Sequence, residues 1–202
     1  ASANADENSL SALRSREDIL GEMEEESAYE KGEDAAGDEK RKKGIRLHAF
    51  LQGCDLAVRD EAGVRAEMER LIEAGILQSG DEDSAPAMAK ILDSPLYRSL
   101  QNYKIYREKE FIMALPLGGD LAAEVKPGED AFVVQGIVDF LALGENDAVL
   151  IDYKYSFRKK EDVKRTYAPQ ISLYARAIES FYGIKIKTKG IINLTDGTLI
   201  EM

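Results

Sequence analysis

Soon after Gly44, apolar residues begin to recur at helical spacing: Ile45, Leu47, Phe50, Leu51, Cys54 and Val58. Val64, Met68, Leu71, Ile72 and Ile76 repeat the pattern over residues 62–77, with Gly75 near the end. Both stretches predict amphipathic helices. Ser84 reads as an N-cap ahead of Pro86, Met88, Ile91 and Leu92, and Asp93-Ser94-Pro95 opens another short helix or turn. Beyond about Tyr103 the period shortens to that of a strand. Residues 103–114, 131–143 and 148–155 read as strands, the second interrupted by Gly136. The turn cluster Gly144-Glu145-Asn146-Asp147 joins the last two into an expected antiparallel hairpin. A basic loop at 156–165 precedes a helix at 168–182, with Ile171, Tyr174, Ala175, Ile178 and Phe181 on one face and Gly183 ending it. Strands at 187–194 and 198–202 flank Asp196-Gly197. The order predicts an α/β fold: a mixed central sheet flanked by helices, with a helical N-terminal part.

Upstream of Gly44 the pattern thins. Residues 1–43 carry 13 acidic and 7 basic side chains, a balance of −6, and Leu10, Leu13, Leu20 and Met23 offer a narrow helical stripe. Such a composition buries little surface. The chain is expected to divide into an acidic linker or weakly packed helical segment, 1–43, and a folded domain, 44–202. It begins with Ala rather than Met, so a fragment or a processed start is expected. Of the 202 residues, 44% are hydrophobic, enough for one ordinary core. The charged share of 32% exceeds the globular norm of roughly 25% and fits a solvated tail. The single cysteine, Cys54, excludes an internal disulfide, fits a reducing compartment and is expected in the core. No apolar run approaches the ~20 residues that span a bilayer, and no secretory pattern opens the chain. A cytoplasmic protein without membrane contact is expected.

Two strands each carry an acid inside an apolar run: Asp139 in Gly136-Ile137-Val138-Asp139, and Asp152 in Leu150-Ile151-Asp152-Tyr153-Lys154. A buried carboxylate is costly unless it is paired or holds a cation. Two on adjacent strands repel each other, and a hard divalent ion between them relieves both costs. Side chains two apart on a strand share a face, so Lys154 joins Asp152 and is expected to point where Asp139 points. Two acids and a lysine on one face suit metal-assisted hydrolysis, with the lysine positioning the nucleophile or stabilising the anion. Phosphodiesters fit this chemistry. The plain alternative is an Asp152–Lys154 surface salt bridge and a strand-edge Asp139.

Gly136-x-x-Asp139, Asp152-x-Lys154 and Gln170-x-x-x-Tyr174, in that order, resemble the motifs of the RecB-like branch of the PD-(D/E)XK nucleases. Gly44-Ile45-Arg46-Leu47-His48 looks like that branch's G-x-x-x-H helix. Arg107-Glu108-Lys109-Glu110-Phe111 resembles the R-E-x-x-F strand of the AddA subgroup. The resemblance runs from about Gly44 to the C-terminus and is closest to the nuclease domain ending bacterial AddA helicase–nuclease subunits. It implies a restriction-endonuclease-like fold. It also implies that His48, Asp139 and Asp152 ligate Mg²⁺, or Mn²⁺ as a substitute, with the Tyr153 carbonyl as a further ligand. Lys154 is then the catalytic lysine, and Gln170 and Tyr174, one helical turn apart, border the active site.

Each of these residues also has a plainer place. His48, the sole histidine, could be a satisfied core residue, and Gln170 and Tyr174 half-buried helix positions. Glu108 and Glu110 share a strand face that could equally be an exposed sheet edge. The accessory iron–sulfur site of some relatives needs four cysteines, so this chain cannot build one alone.

The formal charge of −11 argues at first against nucleic acid. Residues 154–189, however, hold 10 basic against 3 acidic side chains. Within them Arg158, Lys159, Lys160, Lys164 and Arg165 are the expected DNA contacts. Tyr153, Tyr155, Phe157 and Tyr167 are interleaved and could stack bases, although a solvated lysine-rich face is the plain alternative. The expectation is a metal-dependent DNA exonuclease acting on single-stranded ends. It would be part of an AddAB/RecBCD-like helicase–nuclease of double-strand break repair. The chain has no G-x-x-x-x-G-K-[ST] motif, so a helicase would lie upstream, with an AddB-like partner beside it. The alternatives are a catalytically silent nuclease-fold module that binds DNA or another protein of the complex, and a stand-alone nuclease of the same superfamily.

Overall fold

The computed structural model describes residues 35–116 and 130–202. The stripe Leu10, Leu13, Leu20 and Met23 lies outside the described residues. Helix α1 (Ala35–Gly53) passes through position 43 without a break. It buries Leu47, Phe50 and Leu51, the spacing that places side chains on one helical face, and the buried Cys54 follows its last residue. Burial raises the Cys54 thiol to about 11, so it is an inert core group. Helix α2 (Glu61–Glu73) starts where the Asp60 side chain accepts the Gly63 N–H at 2.7 Å. A 3-10 turn (Asp81–Ser84) leads into α3 (Ala85–Leu92). Ser84 stands at the N-cap position of α3 but makes no side-chain cap bond, because the 3-10 turn already occupies that entry. Ser94 does cap α4 (Pro95–Arg98), accepting the Tyr97 N–H. The buried Asp81 takes a forked contact from Arg46, 2.7 and 3.1 Å, which ties α1 to the 3-10 turn.

Five strands follow: β1 (Lys104–Pro116), β2 (Ala131–Leu143), β3 (Asp147–Lys154), β4 (Lys185–Asn193) and β5 (Thr198–Glu201). They lie side by side in chain order, antiparallel throughout except for the parallel β3–β4 pair. That parallel step needs a crossover, and α5 (Lys160–Tyr182) supplies it. The expected loop at 156–165 is therefore short. The helix begins at Lys160, and Pro169 lies inside it. Phe181, expected on the buried face of α5, is 76% exposed, because the apolar stripe ends with Ile178.

Each sheet face has its own core. Phe140, Ala142, Val149, Ile151 and Tyr153 meet α1–α4, while Leu141, Ala148, Leu150 and Ile191 meet Val163, Tyr167, Ile171, Tyr174 and Ile178 of α5. Simple alternation accounts for β3. It fails in β1 and β2. Leu141 and Val138 both join the α5 core although they are three apart, and so do Tyr106 and Phe111, five apart. Between them lie Asp139 and Glu108, the one opposed pair missing from an otherwise continuous register, and Glu108 has φ +53°. A left-handed residue reverses the pleat, and both strands change phase at the same level.

Candidate metal centre and active site

β2 and β3 pair only as far as Phe140 and Ile151. Past that point the strands part, and the Tyr153 N–H has no β2 carbonyl to meet. The Asp139 carboxylate takes its place, accepting that N–H at 2.7 Å. His48, one turn past Gly44 on α1, brings Nε2 to 3.0 Å from Asp139 Oδ2 and Nδ1 to 3.5 Å from Glu108 Oε1. Arg107 fixes β1 against α1 by donating to the Gln52 carbonyl at 2.6 Å. Ligand atoms of His48, Glu108 and Asp139 lie within 4.8 Å of one another, the one such group among the described residues.

Asp152 and Lys154 stand beside this group, on the sheet face that carries α5. Their side chains meet at 3.4 Å, and Lys154 Nζ lies 5.0 Å from the centre of the Tyr167 ring. Strand alternation puts Asp139 on the same face as this pair. The phase change instead turns Asp139 toward α1, so the acids approach through the gap between the strands. Gln170 donates to the Tyr174 hydroxyl at 3.0 Å, and the Tyr174 ring packs edge-on to Phe111, 5.1 Å between centres. Gly136 makes this possible. A Cβ there would fall 2.8 Å from the Phe111 ring and 3.1 Å from Tyr174. Beneath His48, the Tyr153 ring stands edge-on at 5.5 Å, and its hydroxyl bonds that of Tyr97.

The electrostatics are those of a site built for positive charge. Burial raises the Asp152 carboxyl to about 7, against the pull of Lys154 and with the push of Asp139. Burial also raises Glu108, opposed by His48 and reinforced by Asp139. Burial works against the His48 imidazolium, but the hydrogen bond and charge of Asp139, with Glu108 and Asp152 beyond, raise its pKa overall. Two buried carboxylate oxygens, Glu108 Oε1 and Asp152 Oδ2, make no hydrogen bond of good geometry and meet only long ion pairs, to His48 Nδ1 at 3.5 Å and Lys154 Nζ at 3.4 Å. An oxygen-rich donor set with one imidazole and under-satisfied buried oxygens fits a hard divalent cation.

The expected DNA contacts Arg158, Lys159, Lys160, Lys164 and Arg165 are all exposed, on the loop after β3 and the first turns of α5. Arg165 pairs with Asp162 at 2.8 Å. The basic segment as a whole is not one patch. Lys185 opens β4 opposite Asp147, at the far end of the sheet from Lys154, and Lys187 pairs with that same Asp147. Of the four aromatics, Tyr153 and Tyr167 are core residues and Tyr155 is half-buried, which leaves Phe157, 69% exposed, able to meet a base. Glu108 is the residue that sequence reasoning left open. Its place in R-E-x-x-F was the available signal, and strand alternation alone paired it with the exposed Glu110.

A mixed sheet parted at one hairpin, with three acids, a histidine and a lysine around the gap, defines a nuclease-type site on a restriction-endonuclease-like fold. The chain belongs to the PD-(D/E)XK nuclease superfamily, whose pattern matches residues 20–190. Enzymes of this superfamily use divalent metals. Curated proteins named as ATP-dependent helicase/nuclease subunits are similar to it. That of Pelotomaculum thermopropionicum is 34% identical over 159 residues, 72% of this chain and 12% of the relative. That of Heliobacterium modesticaldum is 29% identical over 171 residues, 77% and 12%. That of Geobacillus thermodenitrificans is 28% identical over 202 residues, 88% and 16%. The chain thus spans well under a fifth of the length of these relatives. Among the described residues, no helix is long and apolar enough to cross a membrane.

Proposed function

We propose that this chain is a metal-dependent DNA exonuclease domain, the nuclease part of an AddAB/RecBCD-like helicase–nuclease that processes double-strand breaks for recombination. The observation that carries the proposal is the convergence of His48, Glu108 and Asp139 ligand atoms within 4.8 Å, beside the buried Asp152 and its neighbour Lys154. His48, Glu108, Asp139 and Asp152 would hold Mg²⁺ or Mn²⁺, with the Tyr153 carbonyl as a further ligand. A cation so held supplies a water of lowered pKa and neutralises charge on the phosphodiester.

The protein's own groups do the rest. Asp152 must lose its proton to join the ligand set, and the adjacent Lys154 ammonium favours that ionisation. The same ammonium then faces the phosphoryl oxygens and stabilises the anion that develops there. Gln170 and Tyr174 hold the strand or the lysine from α5. Arg158, Lys159, Lys160, Lys164 and Arg165 neutralise backbone phosphates of a single-stranded end. The cytoplasmic setting, the upstream helicase and an AddB-like partner belong to the same proposal. It is tested by cleavage of single-stranded DNA in Mg²⁺. Asp152→Ala and Lys154→Ala are expected to lower the rate by roughly a hundredfold or more. Unchanged cleavage by either variant overturns the assignment.

A further inference from the structure

Phe157 is a large ring 69% exposed on a loop that is far from loose. Asn193, at the end of β4, donates Nδ2 to the Ser156 carbonyl at 2.8 Å and accepts the Ser156 N–H at 3.2 Å. Tyr155 stands edge-on to Phe157, 5.4 Å between ring centres. Tyr155 in turn lies so close to α1 that a Cβ on Gly44 would sit 2.9 Å from it. From the same helix Lys40 places its ammonium 5.4 Å from the Phe157 ring centre, within cation–π reach. A ring held at one angle by three elements, yet open to water, forfeits burial that a simple core residue would gain.

The surrounding charge is positive. Lys40 stands over the ring, and Arg158, Lys159 and Lys160, which follow Phe157 in the chain, are exposed. Among the described residues nearby in sequence, Asp38 is bound by Arg41 and Lys42, Glu39 by Arg46, and Asp162 by Arg165, which leaves Glu161 as the opposing acid. Lys40, Gly44 and His48 recur every four residues along α1, so Lys40 stands about 12 Å along the helix from the metal group.

We infer that Phe157 and Lys40 form a stacking platform for one base of a single-stranded nucleic acid, a short way along the strand from the reacting phosphate. The inference rests on the nuclease reading and adds a contact from α1, whose basic run lies in the part of the sequence counted as acidic. An aromatic face accepts any base, so the platform grips without reading sequence.

The test is fluorescence anisotropy of a short labelled oligothymidylate with the 202-residue chain in chelator, across a salt series. Phe157→Ala should weaken binding roughly tenfold and Phe157→Trp should preserve it. Lys40→Ala should weaken binding and reduce the salt slope by about 0.7. Duplex of the same length should lose little by Phe157→Ala. Equal binding by parent and Phe157→Ala, equal losses on duplex and single strand, or no single-strand binding by the parent each overturn the platform. Cleavage in Mn²⁺ is scored separately. Phe157-dependent binding without cleavage keeps the platform and removes the catalytic reading, and cleavage indifferent to Phe157 does the reverse.

Discussion

Asp152 and Glu108 carry the tension of the site. A carboxyl raised to about 7 from an ordinary 3.8 binds its proton more tightly in the folded chain than in the unfolded one. Its contribution to stability is therefore complete below about pH 4 and is lost as pH rises through about 7. His48, also raised, acts in the same direction. Denaturant melts in chelator should show stability falling over that window, and Asp152→Asn should flatten the fall. Glu108 combines a left-handed backbone with a buried oxygen that meets only a long ion pair to His48. For a residue with a Cβ that backbone costs about 1–2 kcal/mol, and glycine escapes it at some cost in chain entropy. Glu108→Gly should stabilise the metal-free chain by about 1 kcal/mol while weakening Mn²⁺ binding roughly tenfold or more, both read from melts with and without the ion.

At the level of elements, the site exists because two strands change phase together. The bounds of β2 were legible from its apolar run, and the hairpin with β3 from the turn cluster between them. The reversal at Glu108 and Asp139 was not, since a positive φ at a glutamate leaves no mark in a polar–apolar pattern. The start of α5 was hidden for another reason. Its first turns, Lys160–Arg165, are rich in charge and solvated, and Pro169 reads as a boundary although it sits within the helix. The motif residues themselves proved to be joints between elements: Gly136 admits the rings of Phe111 and Tyr174, and Gly44 admits Tyr155. Gly136→Ala forces both rings to move. It should cost about 1–3 kcal/mol in a denaturant melt, the usual range for an overpacked core, and lower nuclease activity through the displaced Tyr174.

Among the described residues, four helices press on one face of the sheet and α5 on the other, and the groups of the candidate site come from both sides through the gap between β2 and β3. His48, Glu108 and Asp139 belong with α1, and Asp152 and Lys154 with α5. The net charge of −11 says little about such an arrangement, because the folded chain sets Lys40 of an acidic stretch beside the basic loop after β3 and carries Lys185 and Lys187 away to the far end. Sequence order located the acids and the lysine; the distribution of charge over the surface needed the fold. The claim on which the rest depends is that these groups together hold a divalent cation. Calorimetric titration of the 202-residue chain with Mn²⁺ at neutral pH, in parent and Asp139→Ala, tests it most directly. The expected result is saturable binding by the parent with release of protons, and its loss in the variant. Absence of binding by the parent, or undiminished binding by Asp139→Ala, would contradict it.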